Sequence, residues 1–418
     1  MAKGLRAKFF ASRIYDMSLG KSAEPPRPVP AVLADGTIDA FGGDDAFVWL
    51  DGLGTEPDGD ARAAARVRTD AWFDANAHWR AETWRADLIG ARLARIIPRF
   101  ALLTDGAADD FGARLAQRLG REARHLFRLA PSEHANWDPF RAGLGAIMAA
   151  RYLPGYERRL GDAVSHLVDQ VPIWVHPDGG HRARQPERHL AALAALIQVR
   201  AVLADGAYTY PEMLQGAIDR MAPMARAFLL GDGGFALFNG AGEGSPEAIE
   251  ATLAASGSHA KAASSAPHTG FHRIQAQRTV VLFDVGRPAA TPLTPGHAGT
   301  LSFEMSVGFH RLIVNCGGGQ AAGRNLAEAL RATAAHSTLT VANVNSSDLV
   351  AGGLGARRAE SVNARRREQD RNVMVEATHD GYREPFGLSH RRLLYLARDG
   401  LDVRGEDVLE ADTGTGRV

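Results

Sequence analysis

Residues Thr294–Gly317, TPGHAGTLSFEMSVGFHRLIVNCG, decide the reading of this chain together with Arg331–Val341, RATAAHSTLTV. In LSFEMSV and HRLIVNC apolar residues recur with a period near two, and glycines stand at the ends, as half-buried antiparallel strands require. HSTLTV reads the same way. The expectation is a β-domain whose strand starts carry His297 and His336.

Working outward, the texture on the C-terminal side of about residue 270 stays β. RTVVLFDVG, NVMVEATHDGY, LSHRRLLYLARDG and LDVRGEDVL alternate with Gly, Asn and Asp turns. From about Ala61 to Met224 the pattern is helical. RADLIGARLARIIPRFALL, DDFGARLAQRLGREARHLFRL, FRAGLGAIMAARYL, YERRLGDAVSHLVDQV, ERHLAALAALIQVRAVLA and PEMLQGAIDRMAPMARAFL carry apolar residues at three- and four-residue spacing, with breaks at Asp, Gly or Pro. The small-residue stretch AASGSHAKAASSAPH separates the two textures. PPRPVP near the N-terminus predicts extended chain, because proline fixes φ and disfavours helix in its predecessor.

Composition narrows the function classes. The chain has 418 residues, 45% hydrophobic and 23% charged, as ordinary globular proteins do. Lys plus Arg equals Asp plus Glu at 48 each, so no global field draws nucleic acid or an anionic membrane. The single Cys316 excludes an internal disulfide framework and a thiolate metal cluster, and reads as a small buried residue. No apolar run reaches the roughly 20 residues of a transmembrane helix, and the N-terminal MAKGLRAKFFASRIYDMSLG lacks a continuous apolar core. EADTGTGRV follows a strand-like run closely, which suggests a sheet cut short.

The order of these motifs resembles the heparinase II/III family of polysaccharide lyases. The resemblance rests on a His-Ala segment leading into Leu-Ser-Phe-Glu, a following strand end at Asn315, and the Arg-x-Thr-x-Ala-His-x-Thr of residues 331–338. It extends to Asp178-Gly179-Gly180-His181, with Arg184, Pro186 and His189 after it. What it implies is an α+β chain of two domains, an N-terminal incomplete α/α toroid followed by an antiparallel β-sandwich. The corresponding boundaries are an extended or irregular segment 1–60, a helical domain 61–260 and a β-domain 261–418.

The family's reaction is β-elimination beside a uronate: a base removes the proton α to the carboxylate, donors stabilise the resulting anion and an acid protonates the leaving oxygen. Carried over position by position, Asn136 neutralises the substrate carboxylate, His189 and His297 transfer protons, and Arg188 and His181 bind substrate. The resemblance also implies a zinc site of His297, Asn315 and His336, with a hydrogen-bonded histidine pair as the alternative. An acidic polysaccharide or oligosaccharide is the implied partner, and the cell envelope or periplasm the implied setting.

Departures are specific. The family's catalytic Tyr falls on Arg188, its first motif His on Pro295, the motif Asp on Gly299 and the strand-end Asp on Asn315. The resemblance favours a lyase acting by β-elimination, or a protein derived from one; the alternatives are a non-catalytic glycan binder with Arg188 as anion clamp and an envelope scaffold. Several local readings complete the expectation. Ser132 caps the helix that follows it, Trp72, Trp79 and Trp84 pack in a core rather than on sugar rings, and the arginine-rich 355–371 is a solvated loop.

Overall fold

Every strand among the described residues lies beyond residue 264, and the chain before it is helical. The computed structural model describes residues 2–30, 33, 43–54, 56–108, 110–129, 137–206, 208–289, 291–319 and 323–411. Contacts divide the chain into two compact units, Met1–Val171 with Ala194–Gln215, and Pro172–Leu193 with Gly216–Val418. The stretch after residue 172, including the Asp-Gly-Gly-His turn, thus belongs with the strands. No described helix is long and apolar enough to cross a membrane.

Before the first strand the described helices are α1 (Ala2–Phe10), α2 (Arg13–Leu19), α3 (Gly59–Ala75), α4 (Ala86–Ile96), α5 (Phe100–Thr104), α6 (Phe111–Leu126), α7 (Pro139–Tyr152), α8 (Leu160–Trp174), α9 (Pro186–Asp205), α10 (Glu212–Ala227) and α11 (Pro246–Ser256). In the first unit α4 is buried along its whole length. It crosses α7 at Gly90 and Gly145, where a Cβ on Gly145 would stand 2.2 Å from the Gly90 Cα. Buried Arg92 and Arg95 tie α4 to the segment before α3 through the Asp45 and Ala46 carbonyls, at 2.6 and 3.1 Å. Glu122 takes Arg92 Nε at 2.7 Å.

Several expectations for this unit change. Residues 2–19 are helical rather than irregular: Ser12 caps α2 by accepting the Tyr15 N–H, and the Tyr15 hydroxyl reaches His125 Nδ1 at 2.7 Å. Helix α7 is capped by Asp138, which takes the Phe140 and Arg141 N–H groups, while Ser132 lies outside the described residues. The tryptophans are packing residues. Trp72 meets Phe47 and Phe73 edge-on, Trp79 lies 5.8 Å from the Phe10 ring, and Trp84 donates to the Asn76 carbonyl.

In the second unit two antiparallel sheets share one core. The first holds β1 (Ser265–Ala266), β2 (Phe271–Ala276), β3 (Thr279–Asp284), β4 (Phe303–Val307) and β5 (His310–Ile313) in sequential order. A small two-stranded ribbon, β6 (Leu349–Val350) and β7 (Gly353–Leu354), precedes the second. That sheet holds β8 (Val362–Gln369), β9 (Asn372–His379), β10 (Leu388–Leu396) and β11 (Val403–Ala411). Ile274, Val281 and Phe283 from one sheet pack with Val373, Val375, Leu394 and Leu396 from the other. Alternation puts these residues inward, so the arrangement is the sandwich that the pattern predicts.

The β-half also corrects four readings. HSTLTV is irregular, with one isolated bridge between Val341 and Val344. Neither histidine starts a strand: His297 sits in the β3–β4 connection, and His336 follows the 3-10 turn Thr333–Ala335. Val362–Gln369 is an exposed edge strand, not a loop; with one edge unpaired it needs little apolar alternation, which hid it. Cys316 is exposed, because the outward alternation of Leu312 and Val314 carries on to it.

Candidate functional site

The Asp178-Gly179-Gly180-His181 turn is fixed by its own carboxylate. Asp178 accepts the His268 and Thr269 N–H groups at 2.8 Å each and the Thr269 hydroxyl at 2.5 Å. Burial would raise its pKa, but these bonds to Thr269, with the Gly180 and His268 N–H groups, outweigh burial and leave it lowered. Gly179 has φ +88, and a Cβ on Gly180 would overlap Thr269 at 1.8 Å, so neither position admits another residue unchanged.

Arg184 follows in the left-handed region, φ +53. Its guanidinium donates to the carbonyls of Thr269 at 2.6 Å, Arg287 at 2.5 Å and Gly270 at 3.1 Å, pairs with the buried Asp284 carboxylate, and covers the Phe271 ring at 4.7 Å. Its carbonyl accepts from Asn239 Nδ2 at 2.8 Å, while Gln185 donates to the Asn239 carbonyl at 3.3 Å. Arg184 therefore joins three segments, the start of α9, the 231–240 loop and β2–β3. A strained backbone is held by six partners.

Helix α9 then presents Glu187, Arg188 and His189. Glu187 accepts the Gly242 N–H at 2.7 Å. Arg188 is half-buried; burial, then the His189 ring and the Arg188 charge, push the His181 pKa well down. His181 is 1% exposed, stacks on Trp174 at 5.6 Å and accepts the Ala183 N–H at Nδ1. His189 is equally buried. Its Nδ1 accepts the His181 N–H at 3.3 Å and its Nε2 donates to the Met221 carbonyl at 2.8 Å, so both ring nitrogens are engaged. Burial lowers its pKa to about 4, against a smaller opposing pull from the Met221 carbonyl.

His297 and His336 meet each other. His336 Nδ1 donates to the Ala332 carbonyl at 2.8 Å, which makes its Nε2 the acceptor of His297 Nδ1–H at 3.1 Å. The rings are perpendicular, with centroids 5.2 Å apart. Burial, then His336 and Arg331, push the His297 pKa down to about 3. Asn315 does not turn its amide toward this pair: Nδ2 donates to Glu304 Oε1 at 3.0 Å, and Oδ1 accepts the Ser337 N–H at 3.1 Å. Glu304 also takes the Leu237 N–H at 2.7 Å, and burial raises its pKa to about 7. Among the described residues no group of three His, Cys, Asp or Glu side chains could hold a metal ion.

Of the carried-over residues, His181, Arg188, His189, His297, Asn315 and His336 all fall in the second unit, and Asn136 lies outside the described residues. The link between the two groups is Asn239–Gly240. Asn239 bonds Arg184 and Gln185, and a Cβ on Gly240 would stand 2.8 Å from His297 Nε2. The sequence marked Arg184 only as a motif match and Asn239 only as a residue of a turn-rich loop, and it gave no role to Asp284 or Glu304. The available signal was GDGGFALFNG, whose Asn-Gly invites the left-handed conformation that Asn239 adopts at φ +53.

Residues 258–416 match the family model of the heparinase II/III-like C-terminal domain. FtsZ-localized protein C of Caulobacter vibrioides is 33% identical over 375 residues, covering 87% of this chain and 64% of that protein. Among solved structures, Heparinase III matches with a TM-score of 0.64 at 11% identity, covering 84% of this chain and 59% of its own. A heparan sulfate lyase HepC mutant from Pedobacter heparinus matches with a TM-score of 0.53 at 16% identity, over 84% of this chain and 59% of that one. Identity this low shows the fold alone. The chain spans about three fifths of the length of the relatives it matches.

Proposed function

This chain carries a heparinase II/III-like C-terminal domain on a heparinase III-type fold, and from that premise we propose that it holds an acidic, uronate-containing polysaccharide without cleaving it. The observation that carries the reading is His189, both of whose ring nitrogens are bonded to backbone groups. Beta-elimination needs a base for the proton α to the carboxylate and an acid for the leaving oxygen. At the position of the family's Tyr stands Arg188, which cannot give up a proton at ordinary pH. His297 has directed its N–H to His336, and an imidazole of pKa about 3 is a weak base near neutrality.

What remains suits binding. A guanidinium grips a carboxylate through two parallel N–H bonds, so Arg188 is assigned to the uronate. The Arg184 junction holds the first turn of α9 in place behind it. The 33% identical relative, whose name records localisation with FtsZ, supports placing this binding at the cell envelope during division. A fluorescent fusion imaged together with FtsZ tests that placement.

We infer further that zinc has no part in the site. Zinc takes a lone pair from each imidazole at one point and favours an anionic third ligand. Here the His336 Nε2 lone pair accepts the His297 proton, and the third position is a neutral amide whose oxygen is engaged. Elemental analysis of purified wild-type protein and His336→Ala is expected to find zinc near zero in both. Zinc at one equivalent, lost in the variant, would restore the metal.

The main test incubates the protein with a panel of polyuronates and follows the absorbance of the 4,5-unsaturated uronate that elimination creates. The expected trace is flat, while calorimetry detects binding that Arg188→Ala weakens about tenfold, the scale of one charge-assisted contact. A rising absorbance would return the protein to the lyases.

A further inference from the structure

On the outer face of the first sheet, two adjoining cavities of about 500 and 630 Å³ share Arg226, Leu229, Gly231, Leu253 and Phe309. Both lie within the second unit. Their sizes fall within the roughly 300–1,000 Å³ typical of small-ligand sites. The smaller one is lined by Arg226, Arg273 and Arg278 and by no carboxylate. We propose that this groove is a second contact site for an acidic oligosaccharide, separate from Arg188; it rests on the acidic-polysaccharide reading above.

Each guanidinium is placed by the local fold. Arg273 and Gln275 alternate with the core residue Ile274 on β2 and so face outward. Arg273 is locked by the Ala227 and Leu229 carbonyls, at 3.1 and 2.5 Å. Burial lowers its pKa to about 10, which still leaves it charged near neutrality. Arg226, in the last turn of α10, spends one terminal nitrogen on the Ser258 carbonyl at 2.5 Å, while its other terminal nitrogen is buried with no hydrogen-bond partner. Arg278 is exposed and lies against Gly308: a Cβ there would stand 2.4 Å from the guanidinium, and φ is +56.

The apolar half is Phe309, 76% exposed at the tip of the β4–β5 hairpin, above Leu229, Leu253 and Val280. An exposed aromatic face suits the apolar face of a pyranose. Gln275 Oε1 is taken by Arg273 Nε and Nη2, so Gln277 supplies the carboxamide for hydroxyls and exposed Arg278 matches a carboxylate or sulfate, with Arg226 and Arg273 adding positive charge beneath it. The site lies on side chains of a sheet face, not on an unpaired edge. An extended acidic peptide would therefore find no main-chain ladder to join, which favours the saccharide.

The test measures binding of an oligogalacturonate by calorimetry at low salt with wild-type protein, the double variant Arg278→Gln/Phe309→Ala, and Arg188→Ala. Both groove residues are exposed, so the double variant is expected to fold as wild type does, checked by circular dichroism. Its affinity should fall about five- to tenfold, on top of the loss from Arg188→Ala. Unchanged affinity in the double variant alongside a loss in Arg188→Ala would overturn the groove and leave the polysaccharide reading intact. No binding by wild type would overturn both. A poly-glutamate peptide that displaces the uronide and binds the double variant more weakly would assign the groove to acidic peptides instead.

Discussion

Two buried histidine pairs in the second unit invite comparison. His297 and His336 meet at 3.1 Å with perpendicular rings, and so do His379 and His390, at 3.1 Å and 90°. Their ends differ. His379 Nδ1 accepts the Gly381 N–H, so its Nε2 donates to His390, and His390 in turn donates to Asp407 at 2.7 Å. Asp407 also takes two bonds from Arg392, at 2.7 and 2.8 Å. Burial would raise the Asp407 carboxyl, yet His390 and Arg392 hold it far below the usual carboxylate range. The first pair ends on a backbone carbonyl, and the residue where the resemblance expects Asp is Asn315. One pair ends on a carboxylate and the other on a backbone carbonyl.

His390→Ala probes the anchored pair and carries the largest expected effect. It leaves the His379 N–H buried without its acceptor, opens a cavity between β9, β10 and β11, and removes one donor from Asp407. A loss of about 3 kcal/mol is expected from such a combination. Hydrogen exchange should report it as faster opening of β9 and β10. A variant with wild-type exchange would mean that the chain through Asp407 contributes nothing to the sheet.

Acid titration compares the pairs directly. His297 and His379 both have pKa values lowered to about 3, in each case chiefly by burial, against about 6.5 in an unfolded chain. Between those values the unfolded state binds a proton that the native state refuses, so stability is full above about pH 6.5 and falls as pH drops toward 3. Each histidine accounts for about 2 kcal/mol of the loss by pH 5. His297→Gln and His379→Gln keep an N–H donor and should each reduce the pH slope of stability by one proton, read from urea midpoints across pH. An unchanged slope in His297→Gln would show that the pair without a carboxylate is nevertheless charged, and would reopen a proton-transfer role for it.

The two pairs also mark what the sequence makes legible. Alternation in RTVVLFDVG and LSFEMSV marks the β3 and β4 runs as strands, since a period of two has one physical reading, while their stacking into a sandwich came from the resemblance. The adjacency of His297 and His336 was visible as a motif, but the direction of their protons depends on the Ala332 carbonyl, which no spacing reveals. Arg184 was visible only as a match: its partners lie 85, 86, 100 and 103 residues away, and a positive φ at arginine has no sequence signal. The arginine-rich β8 was lost to its charge. An exposed edge strand and a solvated loop look alike when neither face must be apolar.

Gly299→Ala makes the smallest and sharpest cut between the pairs. A Cβ at this position would stand 2.5 Å from His336 Cδ2 and 3.0 Å from its Cγ and Nε2. The ring cannot yield as a long flexible side chain would, because Ala332 holds one edge and His297 the other. Shifting it should cost about 1–2 kcal/mol, the range of modest overpacking. The His297 N–H proton resonance should move or vanish, while those of His379 and His390 stay. The same geometry joins two departures from the family pattern. The resemblance expects Asp at residue 299, and an aspartate there would run into the His336 ring where it lies, so the missing Asp and the closed histidine pair go together. A Gly299→Ala protein with an unmoved His297 resonance would separate them again and leave room beside His336 for the missing carboxylate.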